Sequence, residues 1–298
     1  MYRDGVVVID KPSGLTSHDV VQRVKRSLGA KKVGHTGTLD PFATGVLVLG
    51  INQGTKLIPY LDKTVKTYRG VIELGVATDT FDATGEIVER GDTANITPDD
   101  IERVLETFAG EITQRPPMYS AVKVDGVRLY TLARKGVEVD VAERTVHIEH
   151  IEMISYHSPL IMFEVTCSPG TYIRSLAVDI GRALGTCACL KELRRTRSGP
   201  FRIEEAYSLD EFVAVGKEGW GRVIGLREAI GNMTEVSLTP SDAERVSQGG
   251  PLFREGIDTV SEGSTVKLVY EGRLVALGRV ETRRKMKVNI RPFKVFHR

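Results

Sequence analysis

Cysteine is scarce in this chain: Cys167, Cys187 and Cys189 are the only three among 298 residues. An odd, sparse set cannot build a disulfide framework and fits a reducing compartment. Cys187 and Cys189 lack the second pair that a closed zinc site requires. His147 and His150 lie in a strand-like stretch, where their spacing sends them to opposite faces. No metal is therefore expected. A glycine-rich phosphate loop is missing as well, so no nucleotide cofactor is expected. Long apolar runs are absent: Gly45 to Ile51 is about the longest, against roughly 20 residues for a membrane span. The opening Met-Tyr-Arg-Asp-Gly-Val-Val-Val-Ile-Asp has too short an apolar run for a signal peptide. These absences point to a cytoplasmic protein, expected to be monomeric, with no membrane partner.

A strong overall charge is also lacking. The net charge is only +2, with 27% charged and 41% hydrophobic residues, as in an ordinary globular protein. Yet the charge is unevenly spread. From Val20 to Leu39 there are five basic residues and no acid, and from Lys191 to Arg202 five basic residues and one acid, Glu192. From Arg273 to Arg298 there are nine Lys or Arg against one acid, Glu281. A single charge run is usually a solvated face. Three acid-poor runs in a near-neutral chain suggest a surface divided by sign, as phosphate-binding proteins need.

Periodicity predicts a mixture of strands and helices. Val6 to Ile9 reads as a strand, followed by a helix capped by Ser17, with Val20, Val21, Val24 and Leu28 on one face and Gly29 as the stop. Tyr68 to Val76 reads as a strand, and Thr97-Pro98 starts a helix closed by Gly110. Thr145 to Ser155 and Leu160 to Ser168 alternate like paired strands; Ile173 to Leu184 has a helical apolar face. No βαβ repeat occurs, so the expected class is α+β with a largely antiparallel sheet. The glycine-rich stretch 216–231 marks an expected boundary between a catalytic domain, 1–231, and a small β-rich domain, 232–298.

The most informative stretch is Gly-His-Thr-Gly-Thr-Leu-Asp-Pro-Phe-Ala-Thr-Gly-Val, residues 34 to 46. It places one carboxylate, Asp40, on a glycine- and threonine-rich loop ahead of the apolar run Val46-Leu47-Val48-Leu49. Pro41 disfavours helical backbone at Asp40 and narrows the directions its side chain can take. A fixed acid on such a loop beside a buried strand suits nucleophilic chemistry. A turn-capping Asp is the plainer reading of Thr-Leu-Asp-Pro alone.

The whole stretch resembles the catalytic motif of the TruB-type tRNA pseudouridine synthases. Four further segments resemble that family's motifs in the same order: Asp10-Lys11-Pro12-Ser13-Gly14-Leu15-Thr16-Ser17, Lys66-Thr67-Tyr68-Arg69-Gly70, Gly170-Thr171-Tyr172-Ile173-Arg174-Ser175-Leu176, and Leu193-Arg194-Arg195-Thr196. The tail, with Gly278 and Pro292-Phe293-Lys294-Val295-Phe296, more loosely resembles the PUA module that ends many such enzymes. The resemblance implies isomerisation of uridine 55 in the T-arm loop of tRNA, without a cofactor and with a role in tRNA folding left open. It implies Asp40 as the catalytic carboxylate, Arg174 as its ion-pair partner, and Tyr68 stacked on the target base. Tyr172 and Leu193 would line the same pocket, and His35 would fill the gap left by a flipped-out nucleotide. Lys11 and Pro12 would support the site. Asp82 is read evenly as a loop support and as a bystander.

The chemistry agrees with a single carboxylate. Breaking a glycosidic bond usually takes two, one of them to protonate the leaving oxygen. Uracil leaves as an anion delocalised over two carbonyls and needs less help from an acid. Whether Asp40 attacks C1′ or the base, or removes the C2′ proton, is open on the sequence. Two competing readings are an RNA N-glycosidase, which would release free uracil, and a non-catalytic tRNA-binding or folding module resting on the basic runs.

Overall fold

In a computed structural model, the apolar run at Val6–Ile9 forms the centre of β1 (Gly5–Lys11). The structure describes residues 4–120, 123–124, 126–133, 136–137, 139, 141–255, 260–284 and 287–297. Helix α1 (Ser17–Leu28) follows, with Val20, Val21, Val24 and Leu28 buried and Gly29 as its left-handed cap. Its N-cap is Thr16, not Ser17: the Thr16 hydroxyl accepts from the Asp19 N–H while the Asp19 carboxylate accepts from Thr16 N–H. This reciprocal arrangement satisfies two otherwise orphaned donors and outcompetes the neighbouring serine. Ser17 is freed to bond the Leu39 backbone instead.

Strands β2 (Val33–Thr36), β3 (Thr44–Ile51) and β4 (Lys66–Leu74) come next. The segment containing His35 is thus a strand, and only 37–43 form the irregular part of the motif. Helix α2 (Pro98–Thr107) leads to β5 (Gly110–Gln114). The alternating stretches pair as expected: β6 (Arg144–His157) is antiparallel to β7 (Leu160–Cys167). Helix α3 (Ile173–Ala183) and β8 (Ala188–Ser198) complete the motif-bearing elements.

One mixed sheet carries these strands. Its order runs Tyr207–Ser208, β1, β3, β8, β4, β7, β6, β5. Most neighbours are antiparallel, but β8 lies parallel to β3 and antiparallel to β4. That insertion sets Arg195 level with Gly45 on one side and Tyr68 on the other. Gly45 is required there: its φ is +102°, and a Cβ would lie 2.2 Å from the Arg195 carbonyl oxygen. The expected α+β class, with a large mixed sheet and a β-rich C-terminal part, is what the structure contains.

A second sheet is built from β9 (Glu235–Ser237), β10 (Leu252–Glu255), β11 (Thr265–Tyr270), β12 (Arg273–Arg284) and β13 (Lys287–Val295), in the order β9-β11-β12-β13-β10. Helix α4 (Pro240–Ser247) packs on it. The two sheets share apolar contacts: Leu274, Leu277 and Phe296 cluster with Val6, Val8, Val46 and Val48. The glycine-rich stretch is part of that junction, since Ile224–Gly225 pairs with β1 and Ala229 and Ile230 are buried. Lys285 and Arg298 of the basic tail lie outside the described residues.

Candidate active site

The motif loop is clamped by the N-terminal motif. Lys11 is fully buried, and its ammonium donates to the carbonyls of Pro12 (2.9 Å), Pro41 (3.1 Å) and Ala43 (2.7 Å). Gly14 N–H donates to the Pro41 carbonyl and the Ser13 hydroxyl to the Phe42 carbonyl. With Ser17 on Leu39, four of the five carbonyls of the segment 39–43, all but that of Asp40, accept from the N-terminal motif. Burial lowers the Lys11 pKa to about 8, against the attraction of Asp40. Lys11 and Pro12 therefore act from beneath; neither lines the cavities described next.

Asp40 meets Arg174 of α3 across this loop. Arg174 Nε lies 2.9 Å from Asp40 Oδ2, and Nη2 donates to Asp40 Oδ1 at 3.1 Å. The rest of the guanidinium is equally occupied. Nη1 faces Thr80 O at 3.0 Å and Asp82 Oδ2 at 3.4 Å, and Nη2 also donates to Tyr119 O at 2.8 Å. The guanidinium thus has five acceptor oxygens within 3.4 Å, equal in number to its N–H donors. Asp82 is itself buried and receives the Thr80 and Thr84 hydroxyls and the Thr84 N–H. Burial pushes the Asp40 carboxyl above its ordinary range; the Arg174 charge works against that rise, and Asp82 adds to it. A bidentate guanidinium is the arrangement that keeps such a carboxylate charged and fixed in direction.

Two cavities open on this pair. The deeper one, about 260 Å³, has Asp40, Tyr68, Tyr172, Arg174 and Leu193 in its wall. The second, about 790 Å³, shares Asp40 and Arg174 and adds His35, Phe42 and Asp82. Tyr68 is 7% exposed, and burial raises its phenol above the ordinary range. The Tyr172 N–H donates to Gln114 Oε1, and the Arg144 guanidinium lies 5.2 Å from the Tyr172 ring centroid. Burial, then the Arg195 charge, lowers the His35 pKa, so the ring is neutral at pH 7. Its Nδ1 is buried with no hydrogen-bond partner among the described residues.

Sequence reasoning gave no role to three ionisable residues of the deep cavity: Asp62, and Lys66 and Arg195 within the quoted motifs. Arg195 is 1% exposed, and its Nε donates to Val46 O (2.7 Å) and Nη2 to Gly37 O (3.1 Å). A signal existed. Arg195 stands two positions after Leu193 in a strand, so both must face the same side. Lys66 is buried, donates to Asp62 O and Thr64 O, and lies 3.6 Å from the Asp62 carboxylate. The cavity wall thus carries Lys66, Arg174 and Arg195 against Asp40 and Asp62.

Comparison with known proteins agrees with this geometry. Residues 25–173 match the family model for the TruB family pseudouridylate synthase N-terminal domain. Residues 174–233 match that for the tRNA pseudouridylate synthase B C-terminal domain. The tRNA pseudouridine synthase B of Geobacter sulfurreducens is 45% identical over 281 residues, covering 92% of each chain. That of Symbiobacterium thermophilum is 46% identical, covering 83% of this chain and 82% of its own. Among solved structures, a chain of an H/ACA ribonucleoprotein bound to a substrate RNA containing 2′-deoxyuridine superposes with a TM-score of 0.77 at 28% identity. The superposition covers 99% of this chain and 85% of that one. With an acid, its guanidinium and a buried tyrosine gathered at one cavity, and with relatives of this similarity over nearly their full length, the chain belongs to the TruB family of tRNA pseudouridine synthases, an isomerase family.

Proposed function

We propose that this protein isomerises uridine 55 in the T-arm loop of tRNA, with residues 1–231 as the catalytic unit and 232–298 as a PUA-like RNA-binding unit. The observation that carries the reading is the Asp40–Arg174 pair at the junction of two cavities, with Tyr68 in the wall of the deeper one. A base inside a folded T arm is out of reach, so the nucleotide must leave the stack to enter such a cavity. Asp40, held at the mouth, then faces the sugar, where a carboxylate stabilises positive charge or bonds covalently as the glycosidic bond breaks. Tyr68, Tyr172 and Leu193 offer faces for the base. Lys66 and Arg195 set positive charge around a leaving group that departs as an anion, which favours its departure and retains it for rotation. His35, neutral and half-buried on the rim of the second cavity, suits contact with the bases left behind. Reattachment at C5 releases the C5 hydrogen to water.

Tritium release from a T-arm stem-loop labelled at uridine C5 tests this. Asp40→Asn keeps the shape of the side chain and removes its charge, so turnover should vanish while RNA affinity stays within a few-fold. Release by that variant at a measurable rate would remove Asp40 from the chemistry. Loss of RNA mass during the reaction, measured by mass spectrometry, would favour an N-glycosidase instead.

A further inference from the structure

At the junction of the two sheets, aromatic and basic side chains are stacked on the surface. Tyr60 lies on the one-turn helix Ile58–Leu61, and its ring centroid is 6.1 Å from that of Phe293 on β13. The Arg279 guanidinium of β12 lies over the same Phe293 ring, 5.8 Å from its centroid. Phe293 is 40% exposed, an unusual placement for a phenylalanine beside a well-packed core. Stacking on a ring holds a guanidinium flat and leaves its planar fork free for a bidentate oxyanion partner. Arg279 is exposed and enters no ion pair among the described residues.

Lys294 follows Phe293 on β13, and Lys56 stands four residues before Tyr60. Lys56 Nζ donates to the Val295 carbonyl at 2.7 Å and sits 5.3 Å from the Phe296 centroid. Burial, then the charge of Lys294, depresses the Lys56 ammonium; Asp4 opposes this, and Lys32 adds to it. Lys32 and Lys294 thus both act on Lys56. A local excess of positive charge of this kind favours an anionic partner. By contrast, Arg291 of the same tail is already matched, 3.4 Å from Glu281.

The patch is continuous with the catalytic cavities. The helix carrying Tyr60 packs against β2, which carries His35, and Asp62 immediately after that helix lines the deep cavity. We infer that Arg279, Phe293 and Tyr60, with Lys32, Lys56 and Lys294, form a phosphodiester-binding face that grips the backbone of the RNA stem leading away from the flipped nucleotide. The inference rests on reading the protein as a tRNA-modifying enzyme. It distinguishes among the tail's cations: Arg279 and Lys294 touch RNA, while Arg273, six residues before Arg279 and roughly 20 Å away along an extended strand, does not.

The test is equilibrium binding of a tRNA transcript already incubated with the wild-type protein, measured at several salt concentrations. Each lost phosphate contact flattens the slope of log affinity against log salt by roughly 0.7 to 0.9. The double variant Arg279→Gln/Lys294→Gln should therefore flatten it by about 1.4 to 1.8. Arg273→Gln should run parallel to wild type and leave tritium release unchanged. Parallel lines for the double variant would overturn the inference, and so would equal flattening by Arg273→Gln. Loss of binding to anionic phospholipid vesicles with an unaltered RNA slope would assign the face to a membrane and equally overturn it. Wild-type protein that fails to release tritium would instead count against the catalytic reading, whatever the slopes.

Discussion

Replacing Arg174 with lysine keeps a positive charge beside Asp40 and removes only the geometry. The guanidinium serves five acceptors: both Asp40 oxygens, Asp82 Oδ2, and the Thr80 and Tyr119 carbonyls. An ammonium has three donors, so two of the five acceptors lose their partner. A buried acceptor left unmet costs about 1–3 kcal/mol, which brackets the loss at about 2–6 kcal/mol. The Asp40 side chain is 33% exposed and can turn one oxygen to water, which moves the expected value to the lower end, about 2 kcal/mol. For a chain of this size that lowers Tm by about 3 °C, taking about 2.1 cal/mol/K of unfolding entropy per residue. The rate should suffer more. A lysine that bonds Asp82 cannot also hold both Asp40 oxygens, and misplacing a reacting group by about 1 Å costs on the order of a hundredfold. Single-turnover tritium release on a T-arm stem-loop should fall by about that factor, with RNA affinity little changed. A rate within a few-fold of wild type would show that charge alone suffices and that the five-point match has no catalytic consequence.

Tyr68→Phe keeps the ring against the base and removes the hydroxyl, so retained affinity with lost tritium release would assign the hydroxyl to proton transfer, whereas near-normal turnover would leave stacking alone. Lys11→Met should alter the pH dependence of stability in a defined window. The folded Lys11 pKa is about 8 against 10.5 when unperturbed, so between those values the unfolded chain holds more protons and wild-type stability rises with pH. Denaturant melts from pH 7 to 11 should show that rise in wild type and a flatter response in the variant; equal responses would place Lys11 outside the loop clamp. Truncation at residue 232 should destabilise the remainder and promote aggregation, because it uncovers the apolar face of Val6, Val8, Val46 and Val48 that Leu274, Leu277 and Phe296 cover. Light scattering and thermal melts check this, and an unchanged Tm would mean that the junction contributes little.

Much of the catalytic half was legible from local rules. Alternation predicted the β6–β7 pairing, the Thr97-Pro98 start predicted α2, and Pro41 after Asp40 on a loop before an apolar run marked the candidate carboxylate. Each depends on residues within about one element, where periodicity and backbone preference act directly. The cap of α1 fell to Thr16 because only Thr16 has an acid three residues on to complete the reciprocal bond.

What local pattern left undecided was who meets whom. Arg174 joins residues 134, 94 and 55 positions away, and Lys11 is buried by carbonyls some 30 residues on. Arg195 read as one of several basic strand residues until the parallel insertion of β8 between β3 and β4 set it beside Gly45 and Tyr68. The nine basic residues of the tail looked alike by composition, yet Arg279 lies stacked on Phe293 while Arg291 is bound by Glu281. Sheet order and strand insertion bring such partners together, and these follow from burying apolar faces over the whole chain rather than from any window of it.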